Sequence, residues 1–215
     1  MFAGLDPDVS FEEWIGPARE RVAWFDVESL KFDASRSRDY LVDANWALYC
    51  ENYLEGLHIP FVHASLNAVI DYSAYRTELF RCSNVQIGIG QGSEECFDLP
   101  ASAVDFGEQV VGYYFWLFPN LMLNFYPWGL SINVVKPLGV GRTRISFLTY
   151  VLDPAKLDRG AGAGLDRVER EDEAVVELVQ RGVRSRLYDR GRYSATRETG
   201  THHFHRLLAA ALNGR

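Results

Sequence analysis

The stretch from Asn45 to His63 reads NWALYCENYLEGLHIPFVH, and the rest of the chain is read outward from it. His58 and His63 stand in it behind Glu51, Asn52 and Glu55, in a segment that is otherwise apolar and aromatic. A helical reading to about His58 puts Glu51, Glu55 and His58 at i, i+4 and i+7 on one face. Five residues of straight helix would turn His58 and His63 about 140° apart, at about 3.6 residues per turn, so they would share no ligand. Pro60 lacks a backbone donor and drives Ile59 away from helical dihedrals. A break there swings His63 back toward His58. Two neutral imidazoles joined by one carboxylate, with coordination positions left open, are the usual ligands of a mononuclear non-haem Fe(II) that handles dioxygen.

The carboxylate has to come from elsewhere. After a glycine-rich loop over residues 153–164, Leu165 to Asp189 reads as a long helix. Val175, Val176, Val179 and Val183 mark its apolar stripe, and Asp172 precedes the first three by three, four and seven residues. Asp172 is therefore on the buried face. An ionised carboxylate there has to be paired with a cation, Arg181 and Arg184 being at hand, or coordinate a metal. Glu171, one position off the stripe, is the alternative ligand. Glu169, Glu173 and Glu177 repeat every four residues and read as a solvated stripe. Gly182 inside this helix suggests close approach of another element.

The run N-W-x-L-x-x-E-N-x-x-E-x-x-H-I-P-x-V-H resembles the iron-binding segment of the large (alpha) subunits of Rieske-type non-haem iron ring-hydroxylating oxygenases. The likeness continues through Phe118–Ile145 and Glu171–Leu208, and so covers most of the chain as that family's catalytic domain. It implies an α+β helix-grip fold (START/Bet v 1-like), with a curved antiparallel sheet around a long C-terminal helix and an iron-binding helix. It also implies His58, His63 and Asp172 as the ligands of a mononuclear Fe(II), Asp172 matching the family's carboxylate in E-D-x-x-V-x-x-x-V-Q-x-G. Glu55 resembles the acidic bridge between the iron ligand and a neighbouring subunit's cluster, and it could orient His58 through the free ring N–H.

The family's cluster motif, CxH followed later by CxxH, is found nowhere in the sequence, so this chain holds no 2Fe-2S cluster of that kind. The resemblance then implies a separate Rieske or ferredoxin electron donor with its reductase, and a homo-oligomer, a trimer being the family's habit. The implied reaction uses dioxygen to hydroxylate or oxidatively demethylate an apolar, aromatic or quaternary-amine small molecule. The wording NYLEGLHIPFVH is closer to the monooxygenase, demethylase and quaternary-ammonium branch, for which Trp116, Trp128 and several tyrosines offer a cage. The competing reading is a redox-inactive small-ligand-binding protein of the same fold. A purely structural module would leave the three ligands apart.

Composition agrees with a soluble enzyme. The 215 residues suit one domain, taken as 1–215, with residues 1–25 resembling the joint to an absent Rieske domain. Apolar residues make up 47% of the chain, enough for a sizeable core, and the net charge of −7 argues against nucleic acid. Cys50, Cys82 and Cys96 lack CxxC spacing, which fits a reducing cytoplasm. No signal peptide or membrane span is read. The chain opens with a short apolar run, a turn at Asp6-Pro7-Asp8, and Ser10 with Glu13 as a capping box before a short helix. Tyr72–Phe80 and Asn84–Gly90 alternate as strands, Gln91–Gly107 is surface loop, and four more strands fill Val110–Leu152, their short connections favouring antiparallel neighbours. Asn124 and Asn133 on those strands receive no role, and Phe115, Phe118, Phe125 and Tyr126 are assigned to the core. His202, His203 and His205, near the C-terminus, are read as part of an amphipathic closing helix rather than as ligands.

Overall fold

The computed structural model describes residues 7–92 and 94–214. The opening apolar run and Asp6 of the first turn lie outside the described residues. Helix α1 (Phe11–Arg21) starts where Ser10 Oγ accepts from the Glu13 amide at 3.1 Å, half of the expected capping box. Strand β1 (Lys31–Val42) leads to α2 (Trp46–Tyr53), whose first turn is capped by the Asn45 side chain accepting from the Ala47 amide at 3.0 Å. Two single-turn helices follow, α3 (Ile59–Val62) and α4 (Ala64–Asn67). Then come β2 (Arg76–Leu79), β3 (Ser83–Ile89), β4 (Val110–Leu117), β5 (Leu121–Tyr126), β6 (Gly129–Gly139) and β7 (Arg142–Val151). The long helix α5 (Leu165–Val183) and the closing helix α6 (Thr199–Leu212) complete the order.

The seven strands form one antiparallel sheet in the order β1-β7-β6-β5-β4-β3-β2, so every neighbour from β2 to β7 is a neighbour in sequence. Only β1 crosses over to pair with β7. This is the α+β helix-grip arrangement. β4 shows how both faces become covered. Tyr113, Phe115 and Leu117 point into one core with Phe25 and Ala18 from the α1 side, whereas Trp116 points into a second core with Cys50 of α2, Val176 of α5 and Phe204 of α6. All eight β4 residues are buried, as a near-continuous apolar strand demands when it is covered twice.

Three boundaries differ from the sequence reading. α2 ends at Tyr53, not at His58, because the Leu54 amide turns back to the Cys50 and Glu51 carbonyls and Gly56 follows. Glu51 consequently faces α6, where His205 Nε2 lies 2.8 Å from its carboxylate, so Glu51, Glu55 and His58 do not share a face. The β2 strand is shorter than Tyr72–Phe80, since the Asp71 carboxylate accepts from the Ser73 amide and hydroxyl and holds a turn. α5 stops at Val183 rather than Asp189, and a side chain at Gly182 would meet nothing, so that glycine marks no close approach.

Candidate metal centre and pocket

Between Tyr53 and α3 the chain makes the turn that brings the two histidines together. Glu55 builds it by accepting from the backbone amides of Leu57 and His58, and its second oxygen stands 2.6 Å from His58 Nδ1. Pro60 occupies the first turn of α3, where its missing N–H costs nothing. His63 closes α3 and is 1% exposed. Its Nδ1 stands 2.9 Å from Glu171 on α5, and Glu171 is also held by Arg167. With a carboxylate at each Nδ1, that atom carries the hydrogen, and each Nε2 turns its lone pair to a common point.

Asp172 meets them there. His58 Nε2 and His63 Nε2 are 3.1 Å apart, His63 Nε2 is 2.9 Å from Asp172 Oδ1, and His58 Nε2 is 3.3 Å from it. Three donors on one face of an octahedron with bonds of about 2.1 Å would be spaced by about 3.0 Å, whereas a tetrahedral set would need about 3.4 Å. The observed triangle fits the octahedral face. Asn52 Nδ2 donates to the same oxygen, Asp172 Oδ1, at 2.6 Å and holds the carboxylate in place. The sequence reading named Asn52 without giving it a task. Its signal was a polar residue six before His58 in an apolar helix.

The charges of this cluster ask for a cation. Burial alone would lower the His58 imidazolium, but hydrogen bonds to Asp172 and Glu55 push its pKa up to about 9. His63 moves up likewise, against burial, through Asp172 and Glu171. Burial would raise Asp172, yet the two imidazoles hold it below the usual carboxylate range. Both shifts favour positive charge where the two Nε2 atoms meet Asp172. A divalent ion would supply that charge and satisfy the same carboxylate.

The three donors lie on one wall of a pocket of about 100 Å³. Tyr49 and Tyr53 of α2, Tyr75, Tyr114 and Tyr126 supply its aromatic surface. Its floor is a row running straight across four strands, Gln86 beside Tyr114, Tyr114 beside Asn124, and Asn124 beside Ser131. Asn124 accepts from the Tyr53 hydroxyl at 2.7 Å, and Asn133 lines the pocket too, so both asparagines face it. Phe115 and Phe125 are core, but Tyr126 is pocket wall. Trp116 is buried against Phe204, and Trp128 stacks behind Tyr126 at 5.3 Å, so tyrosines rather than these tryptophans line the pocket.

α5 contributes Leu165, Val168, Glu169 and Asp172 to the same pocket. Glu169 is thus half-buried against the pocket and not part of a freely solvated stripe. It sits three residues before Asp172, on the face that helical spacing predicts, and the four-residue repeat with Glu173 and Glu177 concealed this. Burial, then the charges of Asp166, Glu173 and Asp172, push its carboxyl up to about 8. Glu173 is raised to about 7, chiefly by burial, and Glu177 accepts from the Asp43 amide. Among the tail histidines, His205 joins Glu51 and Tyr193 rather than the cluster of His58, His63 and Asp172.

The family model described as ring hydroxylating alpha subunit (catalytic domain) matches residues 23–214. The chain belongs to this family. Choline monooxygenase of Arabidopsis thaliana, a chloroplastic protein, is 37% identical over 206 residues, which are 91% of this chain and 46% of that protein. The carnitine monooxygenase oxygenase subunit of Escherichia coli K12 is 28% identical over 97% of this chain and 58% of its own length. Among solved structures, the quaternary ammonium Rieske monooxygenase CntA superposes with a TM-score of 0.71 at 22% identity, over 94% of this chain and 55% of that one. Dicamba monooxygenase shares the fold with a TM-score of 0.56 at 16% identity. The chain spans about half the length of the relatives it matches. No helix among the described residues is long and apolar enough to cross a membrane.

Proposed function

We propose that this chain is the catalytic domain of a mononuclear non-haem Fe(II) monooxygenase acting on a small quaternary-ammonium compound. The observation that carries the reading is the triangle of His58, His63 and Asp172, with edges of 2.9–3.3 Å, opening on a tyrosine-walled pocket. Bound there, iron would supply dioxygen activation for insertion of oxygen into a substrate C–H bond. The chain's own residues do the rest. Glu55 and Glu171 hold the imidazoles in one tautomer, and Asn52 holds Asp172. The tyrosine faces attract a cationic head group, while burial keeps bulk water from the reacting carbon.

Pocket size supports the compact substrate. An apolar cavity of about 150 Å³ accommodates a benzene ring, so a pocket of about 100 Å³ suits a small head group and not a fused aromatic system. The relatives named for choline and carnitine point the same way, and away from the aromatic-compound and dioxygenase options of the sequence reading. Electrons come, in this reading, from a Rieske centre outside these 215 residues, supplied by a separate donor or a neighbouring subunit of a homo-oligomer. The three free cysteines suit a reducing compartment, and we place the protein in the cytoplasm on that ground.

The test is metal content after anaerobic Fe(II) loading, for wild type, His58→Ala and Asp172→Ala. Near one iron per chain in the wild type, lost in both variants, supports the site. No iron in the wild type would leave a redox-inactive ligand-binding protein as the better description.

A further inference from the structure

Resting on the quaternary-ammonium reading above, we propose that Glu169 is a specificity-determining residue whose carboxylate pairs with the positive charge of the substrate. Among the described residues, the charged side chains lining the pocket are Glu55, His58, His63, Glu169 and Asp172, with no lysine or arginine. Three of these are carboxylates, and two are already committed. Glu55 serves His58 and two backbone amides, and Asp172 serves both imidazoles and Asn52. No hydrogen bond or ion pair to Glu169 is found among the described residues. Arg38 of β1 acts on it through space only, from a neighbouring pocket that Glu169 also lines together with Arg36 and Arg170.

A half-buried carboxylate without a partner is costly, and the cost falls when a cation arrives. The position of Glu169 is the one such a cation needs. It stands one helical turn before Asp172 on the same face of α5, so its side chain and the metal donor are neighbours at about 5–6 Å between Cβ atoms. In a quaternary-ammonium substrate the carbon to be oxidised is bonded to, or close to, the charged nitrogen. Charge recognition therefore has to happen beside the metal site and not at the pocket mouth. The tyrosines offer the cation their ring faces, and Glu169 offers it a negative charge once the arriving cation displaces the carboxyl proton.

Charge balance agrees. With Glu169 ionised, a divalent metal and the carboxylates of Asp172, Glu55 and Glu169 leave the pocket at −1, counting both imidazoles as neutral. A substrate head of +1 closes the balance, and a neutral substrate of the same shape does not.

The experiment measures binding to Fe(II)-loaded protein by anaerobic calorimetry. The probes are choline, carnitine and the neutral isostere of choline, in which a tert-butyl group replaces trimethylammonium. Wild type is expected to favour choline, and Glu169→Gln to lose about tenfold in choline affinity while its affinity for the isostere stays within about twofold. Glu173→Gln removes a charge from the same helix but not from the pocket wall, and should leave choline binding nearly unchanged. Unaltered choline binding by Glu169→Gln, or an equal loss in Glu173→Gln, overturns the assignment. Iron-loaded wild type that prefers the neutral isostere, or binds neither choline nor carnitine, refutes the substrate class and this inference with it. Iron stoichiometry on the same samples separates these results from failure of the metal centre.

Discussion

The two carboxylates behind the histidines should be unequal, and the structure says by how much. Glu55→Gln and Glu171→Gln each keep the side chain's size while removing the charge that strengthens the hydrogen bond to an imidazole Nδ1. A hydrogen bond to a charged group is worth about 1.5–3 kcal/mol against about 1 for a neutral one, so the loss is on the order of 1–1.5 kcal/mol, roughly tenfold in iron affinity. That agrees with the 10–100-fold typical of partners behind metal ligands, taken as about that range. Glu55 should show the full effect. Its side chain is 13% exposed, it stands 2.6 Å from His58, and the same carboxylate holds the turn that carries that histidine. Glu171 should show less, a few-fold. It is 24% exposed, shares its charge with Arg167, and orients a ring that packing already holds at 1% exposure. Anaerobic competition with a chromogenic Fe(II) chelator measures both constants, and melting curves check that the turn survives in Glu55→Gln. Equal losses, or a larger loss for Glu171→Gln, would refute the reasoning.

Other outcomes follow from the packing and the charges. Glu169 has its carboxyl raised from 4.5 to about 8 in the folded chain. The folded state therefore holds its proton more tightly than the unfolded state, and ionisation destabilises it. Metal-free wild type should lose stability relative to Glu169→Gln as pH rises from about 4.5 to about 8, by at most about 1.4 kcal/mol per pH unit, and denaturant melts at several pH values would show a flat difference if this is wrong. Phe204→Ala empties a fully buried site between Trp46 and Trp116. It should cost about 3–5 kcal/mol of unfolding free energy in a urea melt. Gly200→Ala would drive a Cβ into the Leu54 carbonyl oxygen, where α6 crosses the end of α2. A loss of about 1–3 kcal/mol is expected, and an unchanged melting temperature would show that α6 does not seat there.

Much of the site could be read from residue types and spacing, and what escaped did so for physical reasons. Pro60 announced a break between two histidines, and the break is there, although the helix ends earlier because Leu54 and Gly56 terminate it first. Asp172 stood out because a carboxylate on an apolar stripe has to have a partner. Glu169 lies on the same face and was passed over, since a repeat of glutamates four apart imitates a solvated stripe equally well. Asn52 and Glu171 act through groups more than a hundred residues away, and local periodicity carries no information about such partners. The strands from Val110 to Leu152 were legible because short turns leave antiparallel pairing as the natural outcome. The pairing of β1 with β7, at opposite ends of the sheet's sequence, has no comparable local cue.

One consequence of the ligand arrangement concerns exchange and not affinity. His58 and His63 come from a single short segment, whereas Asp172 arrives from α5, 109 residues beyond His63. An unfolded chain offers a metal two nearby imidazoles at best, so the third donor exists only while α5 lies on α2. That contact is fastened by Gln180 accepting from the Asn45 amide at 2.7 Å, by Glu177 accepting from Asp43, and by Asn52 on Asp172. Escape of a bound ion would then wait on the lifting of α5, a local opening rather than global unfolding. The lifetime of the loaded state would be set by three polar clasps along one helix.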